Sequence, residues 1–131
     1  MEYKQKGYKS VAIISKTEKD SEMLSQQLLN MGITVSNVNS DTDLENDEFT
    51  VWMVSNQLVK GLEFDAVILN DVNDKNYSSD SQLDMKLLYV AVTRALHELD
   101  VTYTNNIATP LRKFLSDSKD PRLTRNNPHI N

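Results

Sequence analysis

Three short apolar runs constrain the fold of this chain more than any other feature of its sequence. Each run is too short for a helix and contains β-branched residues, which is typical of buried strands. The runs are Ser10–Ser15, Thr50–Val54 and Asp65–Leu69, and Leu99–Tyr103 is predicted to be another strand. A run that alternates between apolar and polar residues, Ile33–Val38, predicts a further, half-buried strand. Continuous apolar strands indicate a parallel sheet, since both faces of such a sheet are covered.

Two segments with helical spacing separate these strands. The first begins at Thr17, which can cap a helix, and stops at Gly32. The second runs from Ser81 to about Leu96 and places one set of apolar side chains on a shared face: Leu83, Leu87, Val90, Ala91 and Ala95. This order of strands and helices predicts an α/β fold with a mostly parallel sheet.

In open α/β sheets, ligands bind in loops beyond the carboxyl ends of the strands. Three segments are expected at such ends: Lys16–Thr17, Ser55–Glu63 and the helix that carries Arg94. These segments are therefore the candidates for a functional site.

The length of 131 residues fits one domain. Residues 1–9 are polar and predict a leader or linker, residues 10–118 predict the folded domain, and residues 119–131 predict a flexible tail. No apolar run approaches the roughly 20 residues of a membrane span. The start of the chain is polar rather than secretory, so we expect a cytoplasmic protein with no membrane partner.

The glycines exclude two kinds of nucleotide site. The chain has three, Gly7, Gly32 and Gly61. No pair of them has the spacing of a phosphate-binding Walker A loop or of a dinucleotide-binding fingerprint.

The absence of cysteine excludes thiol catalysis and cysteine-bound zinc. The net charge of −5 indicates that any contact with DNA is narrow or is shared with another domain.

Two stretches carry residues that could form a binding site. In Val59–Asp65, Lys60 supplies a cation, Gly61 permits close backbone approach and Glu63 can accept from a hydroxyl, although a lysine–glycine pair between strands is usually only a turn. In Leu87–Ala95, Arg94 lies near a predicted helix end. A cation there either stabilises the helix dipole or binds a phosphate held by a neighbouring domain.

These stretches resemble motifs of a known family. Val59–Asp65 is similar to motif V, Leu88–Ala95 to motif VI and Ala12–Thr17 to the weaker motif IV of the UvrD/Rep group of superfamily 1 DNA helicases. The resemblance covers residues 10–116. It implies the second, C-terminal motor domain of such an ATPase, with a RecA-like three-layer fold that lacks the P-loop.

The resemblance also implies roles for individual residues. Arg94 would be the arginine finger on the γ-phosphate of ATP, whose Mg²⁺ is held by the separate P-loop domain. Glu63 would bind the ribose hydroxyl, and Lys60 and Gly61 would lie against the nucleotide. Lys16 stands where the family usually has a phosphate-contacting arginine, and Gln57 where it has a histidine near single-stranded DNA. We expect Lys16, Glu63 and Arg94 along one rim of the sheet.

Within the group, the sequence looks most like HelD-type ATPases, which act on bacterial RNA polymerase. The polar loop with Asp71 and Tyr77 and the segments Lys86–Tyr89 and His97–Leu99 carry this likeness. The implied partners are a P-loop motor domain of the same protein, DNA, and, as the alternative, RNA polymerase.

Overall fold

The computed structural model describes residues 2–39, 41–42, 44, 48–73 and 75–102. Over these ranges the chain forms three α-helices, a short 3-10 helix and five strands. In chain order the elements are α1 (Glu2–Gln5), β1 (Ser10–Ser15), α2 (Glu18–Asn30), β2 (Ser36–Asn37), β3 (Thr50–Ser55), the 3-10 helix (Asn56–Leu58), β4 (Phe64–Leu69), α3 (Gln82–Val92) and β5 (Ala95–Val101).

The five strands form one parallel sheet in the order β2-β3-β1-β4-β5. The chain moves outward from β1 in one direction through α2 and outward from β4 in the other through α3. Because such crossovers are right-handed, the two helices lie on opposite faces of the sheet. The fold is the predicted three-layer α/β arrangement with a parallel sheet.

The main core lies between the sheet and α3. Ala12 and Ile14 of β1 face this side, where they join Leu88 and Ala91 of α3 and the buried ring of Tyr77. On the other face, α2 packs against β1 and β3. Side chains alternate along each strand, so a central strand must be apolar at nearly every position. This requirement explains the continuous apolar runs in the sequence.

The start of α2 is as predicted, since the Thr17 hydroxyl caps it by accepting from the backbone N–H of Asp20 at 3.1 Å. The end of α3 differs from the prediction. The predicted helix reaches Leu96, but α3 ends at Val92, and Ala95 pairs with Phe64 as the first residue of β5. Pairing with β4 therefore overrides the helical spacing of this segment. Ala95 belongs to the sheet and not to the apolar face of the helix.

Two further predictions are corrected by tertiary packing. The strand expected over Ile33–Val38 is only Ser36–Asn37, at the edge of the sheet. Leu83, expected on the buried face of α3, is 66% exposed, because the helix turns Leu88 and Ala91 toward the core instead.

Residues 2–9 make specific contacts with β5. The Lys6 Nζ lies 2.6 Å from Oε1 of the buried Glu98, which also accepts from the Tyr8 hydroxyl at 3.3 Å. The Tyr3 hydroxyl donates to Asp100. The boundary drawn at residue 10 stays a prediction, and these contacts join the preceding residues to the edge of the sheet.

Some predictions concern other parts of the chain. The C-terminal boundary at residue 118 and the tail over residues 119–131 lie outside the described residues. Within the described ranges, no helix is both long and apolar enough to cross a membrane.

Candidate nucleotide-facing site

The candidate residues divide between the two edges of the sheet. Glu63 immediately precedes β4 and Arg94 immediately precedes β5, so both lie at the amino edge. Lys16 immediately follows β1 and lies at the carboxyl edge. A strand of six residues separates the edges by about 20 Å at ~3.3 Å per residue. The expectation of one shared rim is therefore wrong for Lys16 and correct for Glu63 and Arg94.

Parallel topology explains this division. After β3 the chain must return to the amino edge before β4 can begin, and it does so over residues 56–63. In the same way, α3 begins at the carboxyl edge and ends near the amino edge, where Arg94 lies just before β5. Of the segments expected at the carboxyl ends, only Lys16–Thr17, the first part of Ser55–Glu63 and the start of α3 are found there.

At the amino edge, Arg94 joins the two motif-like stretches. Its Nε donates to the carbonyl of Val90 at 3.1 Å, and its Nη1 donates to the carbonyl of Leu62 at 3.3 Å. The Arg94 carbonyl accepts from the backbone N–H of Phe64 at 3.0 Å. The side chain is partly buried, and among the described residues no carboxylate lies within ion-pair distance of it.

The guanidinium thus keeps unused donors. A third bond runs from Nη2 to the Thr93 hydroxyl at 3.1 Å. With one N–H of each nitrogen engaged, each terminal nitrogen retains one N–H. Two such donors on one planar group match the oxygens of a phosphate or a carboxylate. The guanidinium of Arg94 is therefore held by three hydrogen bonds and can still bind an external anion.

Gly61 lies in the turn that Arg94 holds. Its φ of +83° lies in the left-handed region that favours glycine, and no atom beyond its two chain neighbours lies within 4 Å of the place where a side-chain carbon would be. The turn closes with a hydrogen bond from the Leu62 N–H to the Val59 carbonyl at 2.9 Å. Lys60 and Glu63 flank the glycine, and both are exposed. The result is an open backbone turn with a cation and a carboxylate beside it.

Lys16 has different neighbours. Its Nζ lies 2.9 Å from Oδ1 of Asp84 and 5.7 Å from the centre of the Tyr77 ring. The hydrogen bond from Lys16 lowers the pKa of the Asp84 carboxyl, and the backbone N–H of Ser78 contributes in the same direction. The ammonium of Lys16 is thus paired with a carboxylate on the first turn of α3.

Lys16 and Asp71 also line a cavity of about 280 Å³ at the carboxyl edge. The other lining residues are Ser15, Asp20, Met23, Leu24, Gln27, Asn70, Asn76 and Thr102. The cavity lies where the chain leaves β1 and β4 for opposite sides of the sheet, which is where ligands bind in such folds.

Gln57 lies in the 3-10 helix at the carboxyl edge of the sheet, and Arg94 lies at the opposite, amino edge. It is exposed, whereas its neighbour Asn56 is buried and donates from Nδ2 to the Tyr77 hydroxyl at 2.9 Å. Burial raises the pKa of Tyr77 to about 12, so its hydroxyl stays protonated at neutral pH. The Asn56–Tyr77 pair fixes the loop from which Gln57 projects.

The sequence interpretation missed three residues of these sites. Thr93 holds the guanidinium of Arg94, Asp84 pairs with Lys16, and Tyr77 anchors the loop after β3. Asp84 carried a signal, since it stands three residues after the capping Ser81, in the first turn of a helix. The roles of Thr93 and Tyr77 depend on contacts that the sequence alone does not show.

Comparison with known proteins bears on the fold. Residues 50–102 match the family model of the UvrD-like helicase C-terminal domain. The fold is similar to that of the C-terminal domain of a possible DNA helicase from Lactobacillus plantarum WCFS1, with a TM-score of 0.72 and 31% sequence identity.

That similarity covers 84% of this chain and 65% of the solved structure, so the chain spans a little under two thirds of its length. No curated protein matches the chain. The chain therefore has the RecA-like fold of a helicase C-terminal domain, and its residues 50–102 carry the UvrD-like sequence pattern.

Proposed function

We propose that this domain is the C-terminal motor domain of a UvrD-like superfamily 1 helicase or helicase-like ATPase. ATP and its Mg²⁺ are bound by a separate P-loop domain, since this sequence has no pair of glycines at Walker A spacing. The amino edge of the sheet closes over the nucleotide, and Arg94 contacts its γ-phosphate as an arginine finger.

The anchored but incompletely used guanidinium of Arg94 carries this proposal. An arginine that only balanced charge would be expected to pair with a carboxylate, and Arg94 has no such partner among the described residues. Its bonds to the carbonyls of Val90 and Leu62 fix the position of the guanidinium without neutralising its charge. Such preorganised donors stabilise the charge that develops during phosphoryl transfer.

The neighbouring residues fit supporting roles. The open turn at Gly61 lets the backbone approach the nucleotide. In this proposal Glu63 accepts from the ribose hydroxyl and Lys60 adds positive charge, which is supported by the exposure of both side chains. Gln57, at the opposite edge, is the candidate for a contact with single-stranded DNA.

Lys16 is a weaker candidate for the phosphate contact that its motif suggests. Its ammonium is engaged by Asp84 at the carboxyl edge, roughly a strand length from Arg94. A lysine side chain does not span that distance, so in this arrangement Lys16 could contact only a phosphate bound at its own edge. A Lys16→Met variant of the assembled ATPase tests the role: a lost phosphate contact lowers turnover strongly, whereas a lost ion pair lowers mainly stability.

The decisive experiment is the ATPase rate of Arg94→Ala in the protein that joins this domain to its P-loop domain. We expect the rate to fall by about 10³–10⁵, the range for supplied or withheld arginine fingers. This range corresponds to about 4–7 kcal/mol of transition-state stabilisation. Arg94→Lys should restore little, because an ammonium cannot reproduce the planar fork. A folded Arg94→Ala protein that keeps more than about a tenth of the rate contradicts the proposal.

The same assay separates two targets of the motor. If the motor moves on DNA, single-stranded DNA should stimulate turnover, and Gln57→Ala should weaken that stimulation while leaving the basal rate intact. If the parent protein is instead a HelD-type ATPase, RNA polymerase should stimulate turnover and single-stranded DNA should not. Arg94→Ala abolishes turnover in both cases.

A further inference from the structure

The hydroxyl of Thr93 occupies a position between α3 and the guanidinium of Arg94. Thr93 is the residue that caps the carboxyl end of α3. Its Oγ1 donates to the carbonyl of Val90 at 2.8 Å and accepts from Nη2 of Arg94 at 3.1 Å. The same Val90 carbonyl accepts from Nε of Arg94 at 3.1 Å. The three groups therefore form a closed ring of hydrogen bonds.

The direction of each bond in this ring is fixed by chemistry. A guanidinium has donors and no acceptor, so the hydroxyl must accept from it. A hydroxyl has one proton, and the Val90 carbonyl lies within reach to receive it. The lone pairs of Oγ1 are consequently turned toward Arg94. Chains of this kind polarise one another, which strengthens the individual bonds.

The ring determines which donors of Arg94 remain available. Nε and one N–H of Nη2 are directed to the helix end, and Nη1 is bound to the carbonyl of Leu62. Without the hydroxyl, Nη2 loses its fixed acceptor and the guanidinium can rotate about its remaining contacts. A shift of about 1 Å in a catalytic group can cost on the order of 10²-fold in rate.

We infer that Thr93 is a positioning residue that sets the plane of the Arg94 guanidinium for phosphoryl transfer. This inference rests on the proposed function of Arg94 and adds a requirement to it: full activity needs the Thr93 hydroxyl as well as the guanidinium. Thr93 itself does not contact the phosphate. If Thr93 had a purely structural role, such as capping α3, its replacement would lower stability, and this effect would not depend on the presence of Arg94.

The test compares Thr93→Val, Thr93→Ser and Arg94→Ala in the ATPase that contains the P-loop domain. Valine keeps the shape of threonine and removes the hydroxyl, whereas serine keeps the hydroxyl. We expect Thr93→Val to lower kcat by about 10- to 100-fold with little change in KM. Thr93→Ser should remain within about threefold of the parent kcat. The exposed Thr34, changed to Val, is the matched control.

The double variant Thr93→Val/Arg94→Ala distinguishes positioning from structure. If Thr93 acts through Arg94, the double variant has the same rate as Arg94→Ala, because nothing remains to be positioned. If the kcat losses of the two single variants multiply in the double variant, the inference is overturned. It is also overturned if Thr93→Val has a normal kcat while Arg94→Ala is inactive. An active Arg94→Ala enzyme overturns the proposed function itself.

A spectroscopic readout on the 131-residue chain covers the case in which Thr93→Val lowers stability in the ATPase. The ¹⁵N–¹H signal of Arg94 Nε should be sharp and protected from exchange in the parent and in Thr93→Ser. In Thr93→Val it should broaden or exchange faster, because the ring has lost a member. An unchanged Arg94 signal in folded Thr93→Val contradicts the inference.

Discussion

Replacing Arg94 with alanine should destabilise the domain even in the absence of nucleotide. The side chain makes three hydrogen bonds, to the carbonyls of Val90 and Leu62 and to the Thr93 hydroxyl. Hydrogen bonds contribute about 0.5–1.5 kcal/mol each. The side chain is only partly buried, so water can replace part of what is lost. We therefore expect the free energy of unfolding to fall by about 1–3 kcal/mol.

This magnitude separates two roles of the arginine. A charge that merely interacts with the helix dipole would contribute only about 0.3–1 kcal/mol. The bond to the Leu62 carbonyl is the reason for the larger value, because it ties the turn before β4 to the end of α3. Arg94→Lys should recover at most part of the loss, since one ammonium cannot reach all three acceptors in the same geometry.

Urea unfolding of the 131-residue chain, followed by circular dichroism, measures the effect. For a small protein with a slope of about 1–3 kcal/mol per molar urea, the midpoint should move by roughly 1 M with an unchanged slope. Lys60→Ala, which removes an exposed cation from the same edge, is the control and should change stability by less than about 0.5 kcal/mol. An Arg94→Ala loss no larger than that of Lys60→Ala would refute the anchoring argument.

Three further changes test other parts of the structure. Gly61→Ala should cost about 1 kcal/mol in unfolding free energy, because the left-handed backbone is strained while the space around it is open. Tyr77→Phe should cost about 1–3 kcal/mol, because the buried Asn56 amide loses its acceptor. Asp84→Asn should cost about 1–2 kcal/mol near neutral pH, because it leaves Lys16 without its partner.

Each of these changes has its own control or contradicting result. Gly32 has nearly the same φ, +82°, and equally open space, so Gly32→Ala should match Gly61→Ala in calorimetric melting. A much larger loss at Gly61 alone would contradict the strain argument. In the parent, Tyr77 has a pKa raised to about 12, so its contribution persists below its unfolded pKa near 10 and disappears as the pH rises toward 12. An alkaline stability loss of equal size in Tyr77→Phe argues against this assignment.

For Asp84, the pH dependence has the opposite direction. Its pKa is lowered in the folded state, so its contribution is present above the unfolded pKa, near 4, and is lost as the pH falls through the folded pKa. Asp84→Asn should therefore reduce the slope of stability against pH in acid. Unfolding curves collected from neutral to acid pH measure this slope. If the parent and the variant lose stability in parallel, the Lys16–Asp84 pair does not contribute as described.

The strand pattern was determined by sequence, for a local physical reason. A central parallel strand is buried on both faces, so runs such as Ser10–Ser15 and Thr50–Val54 must be apolar at nearly every position. Caps are local as well, and Thr17 bonds the N–H of Asp20 only three residues away. These signals require no knowledge of distant parts of the chain.

Only the tertiary structure decided which candidates meet. Arg94 and Leu62 are distant in sequence, and they come together because β4 and β5 pair in parallel and begin at the same edge. That pairing also ended α3 at Val92, against the helical spacing of the segment. The motif pattern placed Lys16 with Arg94, yet a parallel strand separates its two ends by its full length. Lys16 therefore lies at the opposite edge, beside Asp84.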